Sequence, residues 1–515
     1  MGLVNEFKRF AMSALMATVQ VHRRAGVAST LGALVLIALP ALTEAGEPCD
    51  FACRLHQANQ ASLAELVEAG LLDGVTAGRI AEALQRVSVE QAAPGAPRWS
   101  NYLDLERRLT ALVGAEASRL HTGRSRQDLN ETIRRMLARD QLLELLDEIA
   151  RTRAALLDLA DKGIDVVIPA YTHGVQAQPT TLAHYLLAFD AALQRDGERL
   201  REAYARLNLS PLGAAALGTS GYPLDRQRLA SRLGFAAPVV NAFDANLVAS
   251  MDYKVELASV FMACALQAGL FAQDLHAQYR HARPWLLVDS ATTDVSSIMP
   301  QKRNPRSIDR LRSNASRLLA DAQGVIFAAH NVNTGMNDYR DDDPLNGAVD
   351  EALQMLQAWR QLLAGLGIDR EAARTVIDAD YATMTEVADV LVREAGLPFR
   401  VAHHYASALT DLGRASGRTP IELSDAELED VYRGMQGEAL PVPVETVRLA
   451  MDPLTMIAGR RGLGGPQPAE VTRMLALARR SLESESAWRL AARSALAEAD
   501  TRREAEFGRI LGGGD

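Results

Sequence analysis

Between Asn130 and Gly163 the chain has neither Gly nor Pro, and its apolar residues recur at three- and four-residue steps: Ile133, Met136, Leu137, Leu142, Leu145, Ile149, Leu156 and Ala160. That spacing is the period of an amphipathic helix, and at 1.5 Å per residue the helix is about 45–50 Å long. Asp128 followed by Glu131 is a capping-box pattern at its start. Stretches of the same kind run over 181–207, 243–279, 305–329 and 345–366. Five long helices with short connections predict a bundle. Some are apolar on more than one face, as in Leu257-Ala-Ser-Val-Phe-Met-Ala-Cys-Ala-Leu266. A helix apolar all round has to be buried, which predicts packing against other subunits.

The pattern changes on both sides of the bundle. Residues 46–128 read as a domain of shorter helices with a Pro/Gly-rich stretch, Ala92-Ala-Pro-Gly-Ala-Pro97. The bundle itself is expected over 129–378. A third helical domain is expected over 379–490, punctuated at Gly396-Leu397-Pro398, Gly417 and Gly464-Gly465-Pro466, with 491–515 as a tail. The fold class is therefore all-α. The N-terminus stands apart: an apolar run over 26–42 follows His22-Arg23-Arg24 and precedes Thr43-Glu44-Ala45. This is the layout of a secretory leader, and it suits a start at Met12 or Met16 better than one at Met1. A spanning helix needs ~20 apolar residues, and Pro40 and Glu44 interrupt the run. The expectation is export to a periplasmic or secreted location with 1–45 removed, the alternative being a cytoplasmic protein. No later segment reads as transmembrane.

Composition narrows the function classes. Of 515 residues, 48% are hydrophobic and 23% charged, and the net charge is −9, which fits a globular protein and gives no electrostatic basis for binding nucleic acid. Three cysteines are too few for a disulfide scaffold. Cys49 and Cys53 are able to pair in an oxidising compartment, and Cys264 lies in an apolar run. There is no dinucleotide or phosphate-loop motif, and no metal-binding spacing; His403-His404 reads as helix surface.

Three polar segments carry candidate chemistry. In His121-Thr-Gly-Arg-Ser-Arg-Gln-Asp128, two Arg and a Ser beside a helix N-terminus suit a carboxylate, though a solvated loop with helix caps has the same composition. In Pro169-Ala-Tyr-Thr-His-Gly-Val-Gln-Ala-Gln-Pro179, His173 follows a hydroxyl and is able to act as acid or base near neutral pH; a lone His is more often structural. In Asp294-Val-Ser-Ser-Ile-Met-Pro-Gln-Lys-Arg-Asn-Pro305, a Ser pair, Lys302 and Asn304 lie on a loop leading to Pro305 as first helical residue, with Asn304 as cap. A Ser serves as a base only if its alkoxide is stabilised, which Lys302 and backbone amides are placed to do. An ordinary loop entering a helix reads the same way.

Taken together, in this order and spacing, the three segments resemble the fumarase/aspartase superfamily. The Ser-Ser-x-Met-Pro-x-Lys-x-Asn-Pro string at 296–305 is its most specific motif. Within the superfamily the chain most resembles argininosuccinate lyase, through 121–126, Tyr171-Thr-His173, Ser210-Pro-Leu-Gly213, Asp225-Arg226, Ala388-Asp389, Pro398-Phe-Arg400 and Gly464-Gly465. The resemblance spans roughly 50–480. It implies a three-domain all-α fold and a homotetramer in which four central domains form one large bundle and each active site is shared between subunits. It implies a carbon–nitrogen lyase that takes an N-substituted aspartate by β-elimination to fumarate and an amine, with no metal or cofactor.

The roles follow from the same likeness. Ser296 would be the base, with Lys302 and Asn304 holding the carboxylate that carries the carbanion charge. Thr172, Ser125 and Arg126 would bind substrate carboxylates, with Gln127 and Ser297 alongside. His173 would act on the acid side or orient the substrate, and Asp309, where relatives have Glu, would support it. The departures are as informative. Gln127 replaces Asn, and Val295 replaces a Gly, which would strain the backbone if that position needs a positive φ. Thr334, Tyr339 and Asp342 replace the Tyr, Gln and Lys that grip the arginine side of the family's substrate. Exchanging Lys for Asp at 342 changes the local charge by two units and favours a cationic distal group; in the alternative, Asp342 points away and Arg340 supplies the missing cation. The expected substrate is therefore an N-substituted aspartate other than argininosuccinate, as in lyases that cleave ethylenediamine disuccinate. The alternatives are a true argininosuccinate lyase and an inactive structural protein on the lyase fold.

Overall fold

The computed structural model describes residues 49–96, 98–334 and 344–513. The leader-like segment, Tyr339 and Asp342 lie outside the described residues. The chain divides into Met1–Cys49 and Asp50–Asp515, and the fold below is that of the second unit.

The predicted helices form at their predicted places. The longest bundle helix, Arg126–Asp161, has 36 residues, all without Gly or Pro. It opens one turn earlier than the sequence pattern implies, because Ser125 and not Asp128 is its cap: Ser125 and Asp128 make the capping box. A two-stranded hairpin, Val167–Thr172 with Val175–Thr181, reverses the chain. The Thr181 hydroxyl then caps Leu182–Leu207 by accepting the His184 N–H. Ala242–Leu247 and Ala249–Gln278 break at Val248 what the periodicity joins as one helix. Arg306–Ala329 and Pro344–Ala364 complete the bundle. The cap of Arg306–Ala329 is Pro305, and Asn304 sits instead in a short strand.

The bundle core joins all five long helices. At its centre Trp359 has no exposed surface and packs its ring against Phe189 and Phe271, with centroids 6.3 and 5.4 Å away. Cys264 is a free thiol in this core, where burial raises its pKa. Among the described residues one helix, Ala249–Gln278, is long and apolar enough to cross a membrane, contrary to the sequence reading. Its buried face, including Leu257, Phe261 and Leu275, is part of the bundle core.

A second core lies under Phe51–Glu68, Gly74–Ala92 and Tyr102–Val113, and a third under the helices between Met384 and Met451. Pro468–Leu511 is a single helix of 44 residues. It gives Val471 and Leu475 to the bundle core and Phe507 to the N-terminal core. The boundary read from sequence at 490 falls inside it, and 499–507 is anchored rather than a tail.

Candidate active site

The first polar segment is the entry to the 126–161 helix. Gly123 has φ +71, a left-handed conformation that favours Gly, and a Cβ there would also push on the tip of the Leu224 side chain, 2.5 Å away. Arg124 turns inward. It is buried, and its guanidinium donates to Asn59 Oδ1 at 2.6 Å and to Ser62 Oγ at 2.9 Å. Arg126, by contrast, is exposed. Ser125 Oγ accepts the Gln127 N–H at 3.2 Å. His121 stacks on Tyr102, and burial, with the positive charges of Arg124 and Arg126, pushes its pKa down to about 4.

The second segment is the hairpin tip. His173 (φ 54) and Gly174 (φ 77) are both left-handed, the signature of a two-residue type I′ turn. Thr172 pairs with Val175 across it, and Thr172 and His173 are exposed in the protomer. Behind the tip, Gln176 Nε2 donates to the Ile377 carbonyl and Gln178 Nε2 to Thr385 Oγ1, both at 3.3 Å.

The third segment is a loop closed by its own strands, Asp294–Val295 against Arg303–Asn304. Val295 is therefore extended, with no positive φ, and the strain feared from the missing Gly does not arise. An Arg306–Asp294 ion pair at 3.1 Å braces the loop's base. Ser296 is half-buried, and its Oγ accepts the Met299 N–H at 3.1 Å and, more weakly, the Ile298 N–H at 3.5 Å. Ser297 and Lys302 are exposed, and Asn304 is half-buried. Asp309 lies in the first turn of the following helix, 3.9 Å from Arg312.

Within one protomer these segments do not meet. The first stands at the start of the 126–161 helix and the second just past its end, about 54 Å apart along the axis. The third roots near the second: the strand Leu286–Val288 pairs with Leu366–Ile368, and Arg370 then bonds Asp165 at 2.8 Å beside the hairpin. Among the described residues no hydrogen bond or ion pair joins His173 to Ser296, Lys302 or Asp309.

The family model for lyases matches residues 79–319, and that for the argininosuccinate lyase C-terminal region matches 381–458. The argininosuccinate lyase of Methanoculleus marisnigri is 36% identical over 386 residues, covering 74% of this chain and 76% of that one. The chain belongs to the argininosuccinate lyase branch of the fumarase/aspartase superfamily. Argininosuccinate lyase 2 of Agrobacterium fabrum is 34% identical over 420 residues, 80% of this chain and 82% of its own. Among solved structures, an EDDS lyase variant with bound fumarate superposes with a TM-score of 0.82 at 29% identity, covering 90% of this chain and 93% of that one. As a member of this branch the protein is a carbon–nitrogen lyase on an all-α fold.

Sequence reasoning missed Arg124's inward role and the part played by Asp128. The partners of both lie far along the chain, so no local signal marked them; an Arg-x-Arg pair with a single exposed member looks the same in sequence as one with two.

Proposed function

We propose that the protein eliminates an amine from an N-substituted L-aspartate, releasing fumarate. Ser296 removes a Cβ proton, electron density passes into the adjacent carboxylate, and the Cα–N bond then breaks with its electron pair leaving on nitrogen. One observation carries this reading above the rest: the Ser296 hydroxyl receives backbone N–H groups in a closed loop that also holds Lys302. Fixed donors favour the oxyanion over the hydroxyl, which is what a serine base requires. Lys302 and Asn304 hold the carboxylate that takes up the charge. Thr172, Ser125 and Arg126 hold the remaining substrate oxygens, with Gln127 and Ser297 at their margins. His173, oriented by Asp309, meets the leaving nitrogen.

The site is assembled from several copies. Segments one helix-length apart in a protomer share a site only if other protomers supply the missing parts. Leu266, Leu270 and Phe327 stand 62, 59 and 71% exposed on the bundle helices, suited to burial in a tetramer. The amine half departs from arginine, on the strength of Thr334, Tyr339 and Asp342 in the sequence. Export, with cleavage near Ala45, agrees with that departure; N-terminal sequencing of protein from its native host tests it, and an intact Met1 start in the cytoplasm refutes it. Fumarate absorbance, followed over a panel of N-substituted aspartates, tests the reaction. Turnover of another adduct with argininosuccinate inert is expected. The second reading, a true argininosuccinate lyase, is favoured by the names of the relatives, and efficient cleavage of argininosuccinate would establish it. Ser296→Ala should abolish elimination and leave the oligomer intact; undiminished turnover removes Ser296 as the base.

A further inference from the structure

Asp128 has no exposed surface. Its Oδ1 accepts the Ser125 N–H at 2.7 Å, completing the capping box. Its Oδ2 reaches a distant part of the chain, accepting the Gly213 N–H at 2.9 Å and the Ala215 N–H at 3.0 Å. Helix caps commonly lie at the surface, and burying a carboxylate is costly without full pairing. Here the turn that receives it is itself strained. Ala215, Ala216 and Thr219 have φ of 48, 73 and 60°, alongside Gly213 at 85°. A non-glycine residue in this region costs about 1–2 kcal/mol, and it persists only where its surroundings over-determine it. The surroundings are specific: Asp128 holds two amides of the turn, Asn246 Nδ2 donates to the Ala216 carbonyl at 2.7 Å, and Thr219 N–H closes on Ala214.

We infer that Asp128 is a positioning residue: its buried carboxylate fastens the Ser125–Gln127 segment to the strained 213–219 turn, so that the Ser125 hydroxyl and Arg126 are presented to a substrate carboxylate as one rigid unit. This rests on the proposed role of Ser125 and Arg126. Asp128 itself touches no substrate. An amide at 128 keeps the size but has a single acceptor oxygen, which serves Ser125 or the turn and not both; its NH2 group would face N–H donors.

The test compares full-length wild type with Asp128→Asn, Asp128→Glu and Asn246→Ala. Amide hydrogen exchange is read over 121–127 and 213–219, and fumarate binding is read by calorimetry. Asp128→Asn should speed exchange in both segments together and weaken fumarate about tenfold while kcat changes less than about threefold, a loss of ground-state binding. Asp128→Glu, with two oxygens, should recover part of the affinity. Asn246→Ala removes the Asn246 bond to the turn and leaves Ser125 to Asp128 unaltered in sequence, so faster exchange in 121–127 in that variant is the decisive expected result. Exchange that rises in 213–219 alone, or fumarate affinity unchanged in Asp128→Asn, overturns the inference. Should Asp128→Asn fail to fold, Asn246→Ala alone decides by the same criterion. Wild type that binds no fumarate refutes the proposed reaction instead, and the exchange data still judge the coupling of the two segments.

Discussion

Arg124 donates to Asn59 and Ser62 while Arg126, two residues on, faces solvent. The motif was legible in the sequence because it is short and contiguous. The division of labour inside it was not, because Asn59 and Ser62 lie some sixty positions away and only the fold brings them close. Val295 teaches the converse: the absent glycine looked troublesome by analogy, yet pairing with Arg303 holds the residue extended. Asp196 offers a test at this scale. It is fully buried in the bundle; Oδ1 accepts from Arg199, Oδ2 has no partner among the described residues, and burial raises its pKa to about 6. With the folded value above the ordinary 3.8, the fold holds the proton more tightly than the unfolded chain does. Its contribution is most favourable at low pH and is lost as pH rises through 6. Asp196→Asn should therefore stabilise the protein by about 1–2 kcal/mol at pH 7, the gain shrinking towards pH 4. Urea midpoints at the two pH values measure it; a gain that does not depend on pH would count against this account.

At the scale of elements, the bundle helices were readable because they combine length, few Gly and Pro, and apolar residues at helical spacing. Pro468–Leu511 is long, with only Pro468 and Gly508 near its ends, but it lacks the regular apolar spacing. It buries only scattered residues, among them Val471, Leu475, Arg489, Ala499, Arg503 and Phe507, along a charged helix. Its periodic signal is correspondingly faint, and it passed for short helices and a tail. Its far end is nevertheless structural: Arg503 Nε donates to Gln60 at 3.0 Å, Glu506 pairs with Arg232 at 2.6 Å, and Phe507 lies in the N-terminal core. Phe507→Ala should cost about 3–4 kcal/mol, and truncation after Leu490 should leave little soluble protein. Thermal melting of Phe507→Ala checks this, and an unchanged Tm would show that the last turns are dispensable.

For the whole molecule, the motifs announced a site, and the helix length supports the proposal that several chains share it. Arg126 and Ser296 root at opposite ends of the rod. Two inactive variants, Arg126→Ala and Ser296→Ala, unfolded together and refolded as mixed oligomers, should recover part of the elimination activity, because some sites then draw both intact residues from different chains. Each variant refolded alone is the control. A mixture as inactive as its components would place each complete site in a single chain.

With the site shared between chains as proposed, the 36-residue helix makes concentration an ingredient of the chemistry. Diluted far enough for partners to separate, such an enzyme would lose turnover per molecule while every chain stayed folded. Progress curves started from serial dilutions would bend downward with time, at a pace set by how fast neighbours part.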